Sequence, residues 1–304
     1  MNTLFDQKLF DSSHVRRAFS RSAASYDAAA RLQHEVESRL LESLDYLDDP
    51  KLELPKPDVV LDLGAGPGRA SAAMRKRWPK ARIVAVDLAL PMLREAGKRS
   101  GWWRPFDRVN ADVRALPFAE GSVDVLFSNL CLQWVEDLPA AFAGFRRVLK
   151  PGGLLLVSTF GPETLQELRD AFSHADATPH VSPFATIAQF GDALVHAGFR
   201  NPVLDRDTYT TRYPDLASLM REQRAIGATN ALQTRRHTLT GRARFSAASQ
   251  AYDAFRLDDG TLPASWEVIT AMAWAPEPGA PIREGGFEVT SVPVSSIPVR
   301  RRPR

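Results

Sequence analysis

The sequence has 304 residues, 44% hydrophobic and 25% charged, a composition typical of a soluble globular protein. The formal net charge is +3, but four of the 39 Lys and Arg residues lie in the final RRRPR, and the remaining 35 nearly balance 36 Asp and Glu residues. The chain therefore lacks the basic field of a nucleic-acid-binding protein, and no apolar run reaches the roughly 20 residues of a membrane helix, so we expect neither partner.

The first residues, MNTLFDQKLFDSSHVRRAF, lack the continuous apolar core of a signal peptide, which predicts a cytoplasmic location. The single cysteine, Cys131, can form no internal disulfide and has no cysteine partner for a zinc site. We interpret it as a small buried apolar residue and expect no metal.

Residues 1–50 are predicted to form an N-terminal helical arm, with helical spacing from about Val15 to Leu47 and a break at DDPKLELPKP. From residue 51, strands and helices alternate. The strands are VVLDL, ARIVAVD, a short one near Val109, VDVLFSN and, after the turn KPGG, LLLVSTF; the helices between them are SAAMRKRW, PMLREAGKR and LPAAFAGFRRVL. This alternation predicts a doubly wound, mostly parallel α/β sheet.

The rhythm changes after residue 161, where we expect a helical insertion, or lid, at about 162–260 within a main domain of residues 51–275. It contains helical stretches at 163–172 and 187–197, the strand-like NPVLDRDTYTTRY, and the helical segments DLASLMREQRAIG and GRARFSAASQAYDAFR. SWEVITAMAWA is predicted to return as a final strand. Residues 276–304, rich in Pro, Gly, Ser and Arg, are expected to be extended or disordered.

The stretch VVLDLGAGPGRA joins a buried strand to a Gly-rich turn, a pattern typical of a nucleotide site. A dinucleotide fingerprint needs a glycine at the sixth position, where this chain has Arg69, so a dinucleotide is the weaker interpretation. Asp87 ends the second strand and can accept hydrogen bonds from both hydroxyls of an unphosphorylated ribose, in NAD or in S-adenosylmethionine. Asp112 follows the third strand, where it could accept from an adenine amine.

Five ordered motifs resemble the class I S-adenosylmethionine-dependent methyltransferases across about residues 58–160. They are VVLDLGAGPG, IVAVDLALPML, NADVRALPF, VDVLFSNLCLQWVED and RVLKPGGLLLVSTF. The resemblance implies a seven-stranded Rossmann-like sheet and S-adenosylmethionine as the cofactor, with Gly64, Gly66 and Gly68 admitting its methionyl part. The cofactor residues it implies are Asp62, Gly64, Ala65, Gly66, Gly68, Asp87, Leu88, Met92, Asp112, Val113, Asn129 and, on the arm that covers the site, Tyr26.

The flanking segments narrow this resemblance. VRRAFSRSAASYDAAARLQHEV, STFGPETLQELRDAF, HVSPF, YPDLASLMREQRAIGATN and DGTLPASWEV are similar to the malonyl-acyl-carrier-protein O-methyltransferases of biotin synthesis. That family methylates the free carboxylate of a malonyl thioester. The alternatives are a protein arginine hydroxylase or a non-catalytic assembly factor, both related to the mitochondrial complex I assembly proteins, and a methyltransferase of another small carboxylic acid.

The implied chemistry needs no catalytic base, because a carboxyl group with a pKa near 4 is already ionised at neutral pH. Gln133 and Trp134 follow the fourth strand, where the methyl acceptor should enter, although a tryptophan there is equally typical of core. Tyr26 has the same two interpretations. We interpret His14 and His180 as structural or exposed, since no partner is visible in the sequence.

The insertion has an excess of positive charge. From Arg200 to Arg244 there are nine arginines but four acidic residues. Such a face would attract an acidic acyl carrier protein, and an arginine such as Arg221 or Arg224 could pair with the malonyl carboxylate itself. The alternative is solvated helix faces. Whether the thioester is carried by the protein or by coenzyme A stays open.

Overall fold

The computed structural model describes residues 9–102, 105–236, 238, 241–277, 282–284 and 287–289. The strands are β1 (Val59–Leu63), β2 (Arg82–Asp87), β3 (Asp107–Asn110), β4 (Val123–Ser128), β5 (Leu149–Phe160), β6 (Arg200–Tyr213), β7 (Leu262–Trp274), β8 (Ile282–Glu284) and β9 (Phe287–Val289). The helices are α1 (Ser12–Ser22), α2 (Tyr26–Ala29), α3 (Arg31–Glu42), α4 (Arg69–Arg77), α5 (Leu90–Arg99), α6 (Leu138–Val148), α7 (Gln166–Ser173), α8 (Ile187–His196), α9 (Leu216–Ala225) and α10 (Arg242–Tyr252).

Seven strands form one sheet in the order β3-β2-β1-β4-β5-β7-β6. The pairings among β1 to β5 are parallel, and β7 runs antiparallel to both β5 and β6. The predicted doubly wound, mostly parallel sheet of seven strands is therefore confirmed. Its order reverses between β1 and β4, and ligands of such sheets bind beyond the carboxyl ends of the strands at this point.

Helices cover both faces of the sheet. Phe142 and Phe145 of α6 and Phe190 of α8 are fully buried on one face. On the other face, Met74 of α4 and Ala96 of α5 are equally buried. Because both faces are covered, the central strands are apolar on both sides, which explains the continuous apolar runs in the sequence.

Local signals fix several helix starts. Asp137 caps α6 by accepting from the Ala140 N–H at 2.9 Å. Thr186 and Gln189 form a reciprocal capping box at the start of α8. Pro91 lies in the first turn of α5, where its missing N–H leaves no hydrogen bond unmade. The predicted starts of these helices rest on this chemistry.

The N-terminal arm is helical, but it is divided into α1, α2, α3 and a 3₁₀ turn at Asp45–Asp48. The Ser25 hydroxyl donates to Ala225 O at 2.7 Å, which ties the first break to α9. At the second break Ala30 is fully buried with φ −88° and ψ 40°. Tertiary contacts therefore interrupt a segment whose helical spacing is continuous.

The range 162–260 contains elements of the sheet layers as well as the helices that we expect to form a lid. The helix α8 and the strand β6 belong to the sheet layers, whereas α7, α9 and α10 pack together beyond the carboxyl end of β5. The residues KPGG, expected as a separate turn, instead begin β5 beside a register shift against β4. The division into domains stays a prediction.

Two short strands that we did not anticipate, β8 and β9, pair antiparallel within the tail. The expectation for residues 278–281, 285–286 and 290–304 lies outside the described residues. Across the part of the chain that is described, no helix has the length and apolar character needed to cross a membrane.

Candidate active site

The Gly-rich loop after β1 turns at the point where the sheet order reverses. The N–H groups of Gly64 and Ala65 donate to Val86 O at 2.8 and 3.0 Å, which holds the loop against the end of β2. Gly64, Gly66 and Gly68 have φ values of +69°, +53° and +76°. This left-handed region disfavours residues with a Cβ, so the backbone alone favours glycine at all three positions.

Two of these glycines also allow close packing of the protein. A Cβ at Gly64 would lie 2.5 Å from Cys131 Sγ, and a Cβ at Gly68 would lie 2.7 Å from Ala96 Cβ. For Gly68 the structure thus gives a packing reason, between the loop and α5, and its contact with a ligand stays a prediction. Within the described chain, Gly66 has no such packing constraint.

At Gly66 a Cβ would point toward open space. The nearest described atom beyond the adjoining residues is Tyr26 Cε1, at 4.0 Å. Gly66 lines a cavity of about 100 Å³ at the ends of the strands, the strand-end cavity. Nine residues expected to bind the cofactor line it: Tyr26, Gly64, Gly66, Asp87, Leu88, Met92, Asp112, Val113 and Asn129.

Asp87 holds the loop and faces the same cavity. Its carboxylate accepts from the Gly66 N–H at 2.9 Å and from the Ala89 N–H at 2.7 Å. Burial raises the pKa of Asp87 to about 6, although both backbone hydrogen bonds oppose the shift. The group is therefore ionised at neutral pH, and its remaining lone pairs can accept from a ligand hydroxyl.

Asp112 is bound to a neighbour that the sequence analysis left out. Arg114 donates from Nε to Asp112 Oδ1 at 2.9 Å and from Nη2 to Oδ2 at 2.5 Å. Burial would raise the pKa of Asp112, but the hydrogen bonds from Arg114 bring it below the ordinary value. An adenine amine would have to share this carboxylate with Arg114.

The arm supplies part of the cavity wall. Four residues of α1 line the cavity with the spacing of one helical face: Ser12, Val15, Arg16 and Phe19. The sequence analysis missed them, and the signal available was this i, i+3, i+4, i+7 pattern. Tyr26 borders this cavity and both neighbouring ones.

An acidic cavity of about 20 Å³ lies on the other side of the loop. Asp62 and Ala65 line it, as does Glu37 of α3, which the sequence analysis did not find. Burial raises the pKa of Asp62 to about 7. Burial and the nearby Asp62 also raise the pKa of Glu37 to about 7, against the opposing effect of Arg69, whose Nη1 donates to Glu37 Oε1 at 2.8 Å. Two buried acids beside one arginine form a site suited to a cation.

A third space, the arginine-lined cavity, has a volume of about 350 Å³. Gln133, Trp134 and Arg224 line it, as expected for acceptor residues. Arg221 does not line it: the side chain is exposed on α9 and donates to Ser218 Oγ at 2.8 Å. The expectation of a direct contact between Arg221 and the acceptor is therefore not supported by its position.

Further residues of this cavity were not selected from the sequence. His14 lies with Nε2 3.3 Å from Thr229 Oγ1. His180 stacks on Phe172 at 4.0 Å between ring centroids and lies 3.0 Å from Asp176 Oδ1. Both histidines have structural partners, but both also line the cavity together with Arg235 and Arg236.

Leu130 and Trp134 line both the strand-end and the arginine-lined cavities. Leu130 has φ +44°, unusual for a branched residue. Its N–H donates to Ser158 Oγ at 2.9 Å, and its carbonyl accepts from Gln133 Nε2 at 2.6 Å. A strained backbone fixed in this way is typical of functional sites.

Comparisons with known proteins agree with this geometry. Residues 61–157 match a family model described as a methyltransferase domain. The chain is 63% identical to the malonyl-[acyl-carrier protein] O-methyltransferase of Xylella fastidiosa (strain M23), over 97% of this chain and 98% of the relative. It is 41% identical to the enzyme of that name from Gallionella capsiferriformans (strain ES-2), over 92% and 98%.

The chain belongs to the malonyl-[acyl-carrier protein] O-methyltransferase family. Among solved structures, the YcgJ protein of Bacillus subtilis is similar with a TM-score of 0.53 and 16% identity, covering 80% of this chain and 99% of that one. This likeness concerns the fold. Membership of the malonyl-[acyl-carrier protein] O-methyltransferase family confirms the resemblance that the sequence motifs indicated.

Proposed function

We propose that this chain transfers the methyl group of S-adenosylmethionine to the free carboxylate of a malonyl thioester on acyl carrier protein, an early step of biotin synthesis. A bond forms between a carboxylate oxygen and the methyl carbon. The bond between that carbon and sulfur breaks, and sulfur keeps the electron pair. The relatives at 63% and 41% identity are named for this reaction.

The observation that carries the proposal is the opposite charge of two cavities that share Tyr26. The acidic cavity suits the positively charged methyl donor. The arginine-lined cavity suits an anionic acceptor, since no Asp or Glu is present among its described lining residues. The acids of the first are Asp27, Glu37 and Asp62, and the arginines of the second are Arg224, Arg235 and Arg236.

The residues present fit the methyl donor. Gly66 lines the strand-end cavity without a Cβ, and Asp87 keeps lone pairs for ribose hydroxyls. Glu37 and Asp62 would hold the α-ammonium group beside the loop. When bound, S-adenosylmethionine supplies a methyl group activated by a sulfonium.

The remaining task of the chain is to bind, orient and dehydrate the acceptor. No side chain has to remove a proton, because the malonyl carboxyl group is ionised at neutral pH. Trp134 and Leu130 line the junction of the two large cavities, where apolar walls keep water from the reacting groups. The N-terminal arm closes this junction, and the helices beyond β5 act as the lid.

We further propose that the acidic carrier protein docks beside the mouth of the arginine-lined cavity. Arg221 and Arg224 lie exposed on α9, one turn apart in sequence. Their charges would attract an acidic partner over a Debye length of about 8 to 10 Å. Arg224 would then serve both docking and the cavity, and Arg221 docking alone.

The same cavity argues against the hydroxylation of a protein arginine. An arginine substrate is itself cationic and needs acidic partners, whereas the described lining of the large cavity carries arginines and no carboxylate. The charge of this cavity thus favours a carboxylic acid as the acceptor.

Mass spectrometry of malonyl carrier protein incubated with the chain and S-adenosylmethionine tests the proposal. We expect a gain of one methyl group, which fragmentation should place on the malonyl group and not on a residue of the carrier. Acetyl carrier protein, which lacks the free carboxylate, is the control and should stay unchanged. Equal methylation of both carriers, or of neither, would contradict carboxyl methylation.

A further inference from the structure

Arg235 differs from the other arginines of the arginine-lined cavity because its side chain is only 11% exposed. By comparison, the side chain of Arg236 is 33% exposed, and Arg224 lies in the exposed class. A cation is rarely buried to this extent unless it is paired, and its position on a cavity wall makes it available to a ligand.

The guanidinium of Arg235 is fixed at the seam, the contact between the N-terminal arm at Asp11 and the segment at Ala231 and Leu232. Its Nη1 donates to Leu232 O at 2.9 Å, and its Nη2 donates to Asp11 Oδ2 at 2.8 Å. The Asp11 N–H in turn donates to Ala231 O at 2.9 Å. Two of the five N–H donors of the guanidinium are thus used within the described chain, and the group is held rigidly with donors left for a ligand.

The seam lies beside the junction of the two large cavities. Leu232 packs in one apolar cluster with Phe10 and Trp134. The rings of Phe10 and Trp134 meet edge to face with centroids 5.8 Å apart. Because Trp134 borders both cavities, Arg235 is anchored next to the place where acceptor and methyl donor meet.

The charge of Arg235 is only partly balanced. Asp11 also lies 4.0 Å from Arg17 and accepts hydrogen bonds from the Ser13 hydroxyl and the His14 N–H. Burial, followed by the charge of Arg235, lowers the pKa of His14, which disfavours a second positive charge beside Arg235. The surroundings of Arg235 therefore leave a net positive field that a ligand anion can complete.

We propose that Arg235 binds the acceptor carboxylate and that Asp11 is its positioning residue. This inference rests on the proposed function and names the group that selects a dicarboxylic half-thioester. A guanidinium that holds one carboxylate oxygen leaves the other free to take the methyl group. Acceptors without a free carboxylate give Arg235 no anionic partner and bind weakly.

The N-terminal arm is part of this site. Asp11 caps α1, whose residues Val15 and Phe19 line the strand-end cavity. The carboxylate site is therefore complete only when the arm lies in place over the donor. Asn at position 11 would keep both the helix cap and an oxygen acceptor for Arg235. The property that only Asp supplies there is the negative charge, which partly neutralises Arg235.

Steady-state kinetics of single variants with malonyl carrier protein test the inference. Arg235→Gln should raise KM about 30-fold or more, as expected for the loss of a buried charge partner, and Arg235→Lys should recover part of it. Asp11→Asn should lower kcat about 5-fold without raising KM, because it removes charge but not geometry. Arg82→Gln, which breaks the exposed pair with Asp107 outside the arginine-rich segment, is the matched control and should leave both constants unchanged.

Calorimetry with S-adenosylmethionine separates this inference from the proposed function. Each variant should bind the donor within about 2-fold of the unmodified chain, since Arg235 is not among the residues of the strand-end cavity. If Arg235→Gln binds the donor and keeps the original KM, or if it fails to fold and Asp11→Asn keeps the original kcat, the inference is overturned while the proposed function stands. If the unmodified chain does not methylate malonyl carrier protein, the proposed function and this inference both fall.

Discussion

Replacing Gly66 with alanine should separate cofactor binding from folding. The backbone there has φ +53°, so a Cβ adds left-handed strain of about 1 to 2 kcal/mol. Tyr26 Cε1, the nearest described atom outside the adjoining residues, would lie at 4.0 Å, which is an ordinary contact. Folding should therefore lose the strain energy and little more.

Binding should suffer more than folding, because Gly66 lines the strand-end cavity that we assign to the methyl donor, and an added methyl group there would narrow the site. Overpacking a well-fitted site costs about 1 to 3 kcal/mol. The affinity of Gly66→Ala for S-adenosylmethionine should accordingly fall about 5- to 150-fold.

Two other glycines calibrate this experiment. Gly121 has φ +58° and its Cβ would meet no described atom within 4 Å, so Gly121→Ala measures the backbone strain alone. Gly68→Ala adds a clash, since its Cβ would lie 2.7 Å from Ala96 Cβ, and should destabilise the fold most. Thermal unfolding and titration calorimetry provide the two readouts. A folded Gly66→Ala protein with the original affinity would refute the assignment of this space to the cofactor.

Three further changes test the charges of the site. Raising the pH from 6 to 8 should strengthen S-adenosylmethionine binding by up to about tenfold per pH unit for each proton released, because Glu37 and Asp62, both with a pKa of about 7, must ionise to face a cation. Calorimetry in two buffers of different ionisation enthalpy should detect this proton release. Binding that does not depend on pH would contradict the assignment. Without the cofactor the sign is opposite: the folded-state pKa values exceed the unfolded ones, so the stability from these acids is lost as the pH rises through 7, which a fall of Tm should report. Asp87→Asn should lower Tm by about 5 to 10 °C and weaken cofactor binding, since its amide N–H₂ would face a backbone N–H of Gly66 or Ala89; an unchanged Tm would show that the two hydrogen bonds contribute little. Arg221→Glu should raise KM for malonyl carrier protein but not for malonyl-coenzyme A, an effect that higher salt should reduce, and equal effects on both substrates would place the carrier elsewhere.

Sequence patterns were sufficient for the parts of the site that lie at strand ends. Gly66 lies three residues after the end of β1 and Asp87 is the last residue of β2, and parallel strands bring their carboxyl ends to one edge of the sheet. Their neighbourhood therefore follows from strand order alone. The backbone hydrogen bond that joins them, at 2.9 Å, adds a structural role that no pattern indicated.

The residues contributed by the arm and the lid could not be predicted in this way. Asp11 and Arg235 are separated by 224 positions, and nothing local distinguishes Arg235 from Arg221. Only the packing of the arm against the lid buries one arginine on a cavity wall and leaves the other exposed. Likewise Glu37 became part of the acidic cavity because α3 packs beside the loop.

The partial neutralisation of Arg235 by Asp11 has a catalytic reason. In the ground state the acceptor is an anion and the donor a cation, and their charges cancel as the methyl group moves between them. A fully unpaired guanidinium would stabilise the anionic ground state more than the nearly neutral transition state, and tighter substrate binding of that kind raises the barrier to reaction. With Asp11 at 2.8 Å, Arg235 keeps the hydrogen-bond geometry that orients the carboxylate while its electrostatic hold on the charge is weakened. The partial burial of this ion pair between the arm and the segment around Leu232 is thus better explained by orientation of the acceptor than by its contribution to folding, since even a fully buried pair can often be replaced with apolar residues without loss of stability.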